Sequence, residues 1–88
     1  MLVNFMDMRE PVIFYRQDFA DVSPILSLVK ARAAVSFFLD PEGEEWVIGR
    51  FHRCEYIIEI NGIAVRESLN VSIDCEENNV NYFKRKAI

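Results

Sequence analysis

The chain has 88 residues, 51% of them apolar and 27% charged, with 14 acidic against 10 basic side chains for a net charge of -4. That length supports one compact core, so residues 1–88 are read as a single domain, and the apolar content excludes intrinsic disorder. No run approaches the ~18–20 uncharged residues of a transmembrane helix, and the acidic balance opposes generic binding to nucleic acid or anionic membrane.

Residues 1–10 carry Phe5, Met6 and Met8 ahead of the first predicted element and are expected as a flexible or partner-docking segment. They lack the basic and apolar regions of a signal peptide. With only two cysteines, Cys54 and Cys75, the expected compartment is a reducing cytoplasm and the thiols are expected as small buried hydrophobes. Val12-Ile13-Phe14-Tyr15 after Pro11 predicts a short edge strand, where proline is tolerated at the start. Ser23 as cap, Pro24 in the first turn and an apolar stripe of Ile25, Leu26, Leu28, Val29 and Ala33 predict one helix ending near Arg32.

Beyond it, the nine valines, nine isoleucines and many aromatics favour strands. Asp40-Pro41-Glu42-Gly43 has the residue order of a type I turn and predicts a hairpin between Ala33–Leu39 and Glu45–Phe51. Gly49, inside the second of these, marks a bulge, a bend or a close backbone approach. Asn61-Gly62 predicts a type I′ turn joining Cys54–Ile60 to Ile63–Arg66. In Cys54-Glu55-Tyr56-Ile57-Ile58-Glu59-Ile60 the even positions are apolar and predict one buried face. Ile63, Val65, Leu69, Val71 and Ile73 share a phase that Glu67 interrupts, which predicts one long bent strand or two strands with a bulge near Glu67-Ser68. A last strand is predicted at Val80–Lys84. The expected fold is α+β, mostly β: an antiparallel meander of five to six strands with one short helix in the N-terminal half, curved enough at Gly49 and Glu67 to form a small barrel.

Catalytic signals are sparse. His52 and Cys54 would share a strand face as two metal ligands or a thiolate beside its base, but zinc needs four ligands and the chain offers only Cys75 and carboxylates besides. Glu44-Glu45 and Glu76-Glu77 adjoin predicted turns, where solvated charge is ordinary. There is no phosphate loop, zinc-protease helix or nucleophile elbow. Neither an enzyme nor a metal or cofactor is expected.

Arg50-Phe51-His52-Arg53 and Tyr82-Phe83-Lys84-Arg85-Lys86 interleave basic and aromatic residues, the pattern by which small β-barrels bind single-stranded nucleic acid. Net charge opposes that reading, which is the alternative. The apolar excess carries the preferred one. Phe37 and Phe38 are neighbours on a strand and must face opposite ways, so a single sheet with one helix cannot hide both. A small protein-interaction module is therefore expected, one that self-assembles or binds and modulates a macromolecular partner as an inhibitor or immunity-type protein, or serves as a joining subunit of a larger particle. Phe38, Trp46 and Phe51 are the expected contact aromatics, with Arg50 and Arg53 at the rim.

Overall fold

The structure, a computed structural model, describes residues 1–76. These are mostly β with one short helix, in the order β1 (Leu2–Asp7), β2 (Ile13–Asp18), α1 (Ser23–Ala31), β3 (Ala34–Phe38), β4 (Trp46–Asn61) and β5 (Ala64–Cys75). The predicted strand at Val80–Lys84 lies outside the described residues. All five strands form one sheet, ordered β2-β1-β5-β4-β3. The expectation of a wholly antiparallel meander is corrected here, because β1 enters the middle of the sheet parallel to β5. Residues 1–10 are thus not set apart from the fold: Leu2–Asp7 is a central strand. The sheet is mixed and open, with β2 and β3 as its edges.

Register decides what is buried. Val3 and Phe5 of β1 stand beside Leu69 and Val71 of β5, while Ile73 and Cys75 stand beside Phe51 and Gly49 of β4. With Val47 and with Ile25 of α1, these residues make the core on the inner face. The helix lies there, against β4. Val3, Val47, Val71 and Ile73 are completely buried, each contributing roughly 1.5–3 kcal/mol relative to exposure.

Two bulges shape the sheet. In the β1–β2 pair Phe5 faces Tyr15 and Met6 faces Ile13, leaving Phe14 as the extra residue. In the β4–β5 pair Phe51 faces Ile73 and Arg53 faces Ser72, leaving His52 unpaired. The second bulge switches the inward phase of β4 from odd residues (Val47, Gly49, Phe51) to even ones (Cys54, Tyr56, Ile58, Ile60). The bend expected near Glu67-Ser68 is instead on the partner strand, and β5 runs unbroken.

Phe37 reaches across the inner face from the β3 edge. Its ring centroid lies 5.1 Å from Phe5, 5.0 Å from Phe14 and 5.9 Å from Tyr15. Side chains from opposite edges therefore meet without any ladder closing between them. Such tilted and edge-on ring pairs add about 0.5–1.5 kcal/mol each beyond burial.

Both turns follow local chemistry. Gly43 donates its N–H to the Asp40 carbonyl (3.2 Å) in the β3–β4 turn, with φ at +73°. In the β4–β5 hairpin Asn61 pairs with Ala64, so the two-residue loop is Gly62-Ile63, one residue later than expected. Only Gly62 has positive φ there, which fits a type II′ turn with glycine first and not type I′. Ser23 is the first residue of α1 rather than its cap. The Asp21 carboxylate accepts the Ser23 N–H (3.0 Å).

At the other end of α1, Arg32 and Ala33 donate their N–H groups to Val29 and Leu28 (both 3.1 Å), the paired bonds of a Schellman ending. Arg32 takes the left-handed φ of 51° that glycine normally supplies. Replacing it, R32G, is expected to raise stability by about 0.5–1 kcal/mol by relieving that conformation, read as a higher urea midpoint. The opposite result is expected at Gly49. A Cβ there would fall on the Asp74 carbonyl oxygen and within 2.9 Å of Ile73 Cγ2, so G49A should cost about 1–3 kcal/mol in the same measurement.

Candidate interaction face

Of the residues expected to make contacts, four share the sheet's outer face, opposite α1. Phe38 pairs with Trp46 across β3 and β4, and Arg50 pairs with Asp74 in register. Beyond the bulge Arg53 faces Ser72 on the same side. Phe38 is 70% exposed and Trp46 partly so. Phe51 is a correction: it is a core residue, 4% exposed, because its odd phase turns it under the helix. Its loss also leaves the Arg50-Phe51-His52-Arg53 cluster with the partly exposed His52 imidazole as its one ring for base stacking, while Tyr82–Lys86 lies outside the described residues.

The outer face is a polar surface at its centre. Arg16 Nε donates to Asn4 Oδ1 (2.8 Å), and Asn4 Nδ2 donates to Asn70 Oδ1 (2.9 Å), a ladder across β2, β1 and β5. Arg9 bridges the Asp74 carboxylate (2.8 Å) and the Cys75 carbonyl (2.9 Å) beside Arg50. In the β3–β4 turn the acidic groups of Asp40, Glu42 and Glu44 come together. There the Asp40 carboxylate already accepts the Glu44 and Glu45 N–H groups and orders the turn.

Cys75 does not join His52 and Cys54 as a third ligand. Cys54 is opposite Val71, whereas Cys75 is opposite Gly49. Four residues of strand separate the two rows, about 13 Å, beyond the reach of a disulfide. Both thiols are free.

The strongest unexplained feature lies elsewhere, on the inner face of the β4–β5 hairpin. Tyr56, Ile58 and Ile60 follow Cys54 inward in phase, and Val65 faces Ile60 across the hairpin. None of the four is covered: Tyr56 is 49% exposed, Ile58 58%, Ile60 75% and Val65 58%, with Ile63 fully exposed in the turn. The expectation that the even positions of Cys54–Ile60 form a buried face therefore fails beyond Cys54. Its physical reason is length. A helix of nine residues spans about 13 Å and covers about four residues of strand, whereas β4 has sixteen. The opposite side of the hairpin is charged, with Glu59 facing Arg66 and Glu55 facing Asn70. Beside the apolar row, desolvation and a hydrogen bond to Glu67 hold the Tyr56 phenol above its usual range.

No family model, curated protein or solved structure matches the chain. Among the described residues no helix is long and apolar enough to cross a membrane.

Cys75 allows a test of the inner face itself. Burial, then the Asp7 carboxylate, pushes its thiol up from 9.0 to about 12. An acid whose folded pKa is raised stabilises the fold below its unfolded pKa and loses that contribution as pH rises. The urea midpoint should therefore decline between about pH 9 and pH 12 more steeply for the native chain than for Cys75→Val. At pH 8 a thiol reagent should modify Cys54 well before Cys75, with both reacting in denaturant.

Proposed function

We propose that the protein is a small interaction module that binds another protein surface through the inner face of its β4–β5 hairpin. One observation carries the reading: Tyr56, Ile58, Ile60 and Val65 form an apolar row, with Glu67 beside Ile58, that lies beyond the helix and stays about half or more exposed. Contiguous exposed apolar surface backed by a charged reverse side is the pattern of a binding surface, because its burial is the main source of association free energy. Phe38 and Trp46 on the outer face, with Arg50 and Arg53 further along the same face, are a secondary contact region. What favours the hairpin as primary is its density of aliphatic groups, among which Glu67, opposite Ile58 and hydrogen-bonded to the Tyr56 phenol, is the one charge.

A photo-crosslinking amino acid placed at Ile60 should yield protein adducts in the native host. The same group at Gln17, on the exposed β2 edge, should yield few or none. Equal labelling from the two positions, or none from either, would remove the basis for this reading.

A further inference from the structure

The hairpin offers more than an apolar face. β3 pairs with β4 only from Trp46 to Arg50, and the Ala33 carbonyl takes the Phe51 N–H. From Glu55 to Asn61 no described strand pairs with β4 on the side away from β5. Such an edge presents alternate N–H and C=O groups to solvent, ready to accept another strand. Proline, lysine and bulges are the usual means of blunting it, and Glu55–Asn61 contains none of them.

Resting on the reading of the hairpin as a binding surface, we propose that its occupant is a second copy of this chain, joined by antiparallel pairing of the two β4 edges about a twofold axis at Ile58.

The charge pattern and the neighbouring strand select that register. A twofold axis normal to the sheet keeps inner faces together, so residues of equal phase must pair. Centring the pair on Glu55, or on Glu59, sets a carboxylate against its own copy. An axis at Ile57 sets Glu55 against the partner's Glu59 twice over. Like charges directly opposite are destabilising, so these three registers are disfavoured. An axis at Tyr56 carries the partner's turn into the space that Ala33 and Ala34 fill beside Phe51 and Arg50. An axis at Ile60 leaves too few pairs. The Ile58 axis alone has neither fault. It opposes Ile58 to its copy and Tyr56 to the partner's Ile60, an aromatic against a β-branched residue, which are favourable cross-strand pairs. Glu59 then faces Ile57, Glu55 faces Asn61, and the three exposed side chains of the inner row meet one another. The two glutamates act as register selectors.

Three measurements on the full chain test this. Sedimentation should give a dimer at about 100 μM that Ile58→Lys weakens by roughly tenfold or more, since it sets like charges together on the axis, while the isolated subunit, in which the lysine faces Glu67, unfolds at no lower temperature. In a Cys54→Ser background, Ile58→Cys should form an interchain disulfide under mild oxidation. Val65→Cys, one strand further from the axis, and Ile57→Cys, offset along it, should not, because their separations exceed the ~7 Å a disulfide spans. Crosslinking through Ile57→Cys in place of Ile58→Cys would overturn the register and with it the proposal. A monomer at all concentrations with no Ile58→Cys dimer overturns it as well. If adducts from position 60 then join a different protein, the interaction-module reading stands alone; if there are none, both fall.

Discussion

The parallel ladder between Leu2–Asp7 and Ser68–Ile73 is the joint on which the sheet depends. It ties the hairpin at one end of the chain to the hairpin at the other, and it brings Val3 and Phe5 beside Leu69 and Val71 to start the core. The ladder also fixes its own register. A slip of one residue would turn Val3 and Phe5 to the outer face and bring Asn4 into the core. Asn4 is 8% exposed, yet both ends of its amide are satisfied by Arg16 and Asn70. An unsatisfied amide at that depth would cost about 1–3 kcal/mol, so the polar ladder on one face and the apolar rows on the other specify the same alignment.

Unequal strand lengths follow from that joint. β1 has six residues and β3 five, while β4 has sixteen and β5 twelve. The short strands support the long hairpin at its base and leave its distal half extending past both neighbours. Exposure follows this boundary residue by residue: Leu69, opposite Tyr56 at the last supported rows, is buried, whereas Val65 is not. The apolar face and the free edge are thus two consequences of one mismatch.

Local signals in the sequence carried much of this fold, and non-local ones did not. The β3–β4 hairpin was readable because Asp40, Pro41 and Gly43 set their turn without help from the rest of the chain. The distal hairpin was readable too, but a two-residue loop can start on either side of a glycine, and its register came out one residue late. The odd phase of Val47–Phe51 and the even phase of Cys54–Ile60 encode the bulge at His52, which the phase break alone could have located. β1 was missed because a parallel central strand has no turn to announce its partner, and Asn4 and Asp7 disguise its alternation. At the site, the opposed directions of Phe37 and Phe38 followed from strand geometry. Which of the two faces the helix would cover did not, and Phe51 was assigned to the surface for that reason. Tyr56, Ile58 and Ile60 look buried by alternation; only the length of the helix against the length of the strand separates them from a core.

The unpaired strand edges of the described sheet, β2, β3, the distal side of β4 and Ala64–Glu67 of β5, differ in how they meet solvent, and the difference bears on function. β2 carries Arg16, Gln17 and Asp18 in succession and a bulge at Phe14, which interrupt a flat, apolar template. β3 is short, and Phe37 turns its aromatic side chain inward to join the Phe5, Phe14 and Tyr15 cluster. The stretch Glu55–Asn61 has neither protection, although it carries the exposed Tyr56, Ile58 and Ile60. Its charges lie on the outer side alone, where they leave the edge open and constrain only which registers can pair. A chain under pressure merely to stay monomeric would place a lysine or proline there at little cost to its core. That this edge is left open, while β2 and β3 are blunted and Ala64–Glu67 carries the charges of Arg66 and Glu67, is the physical reason for assigning association to the β4–β5 hairpin.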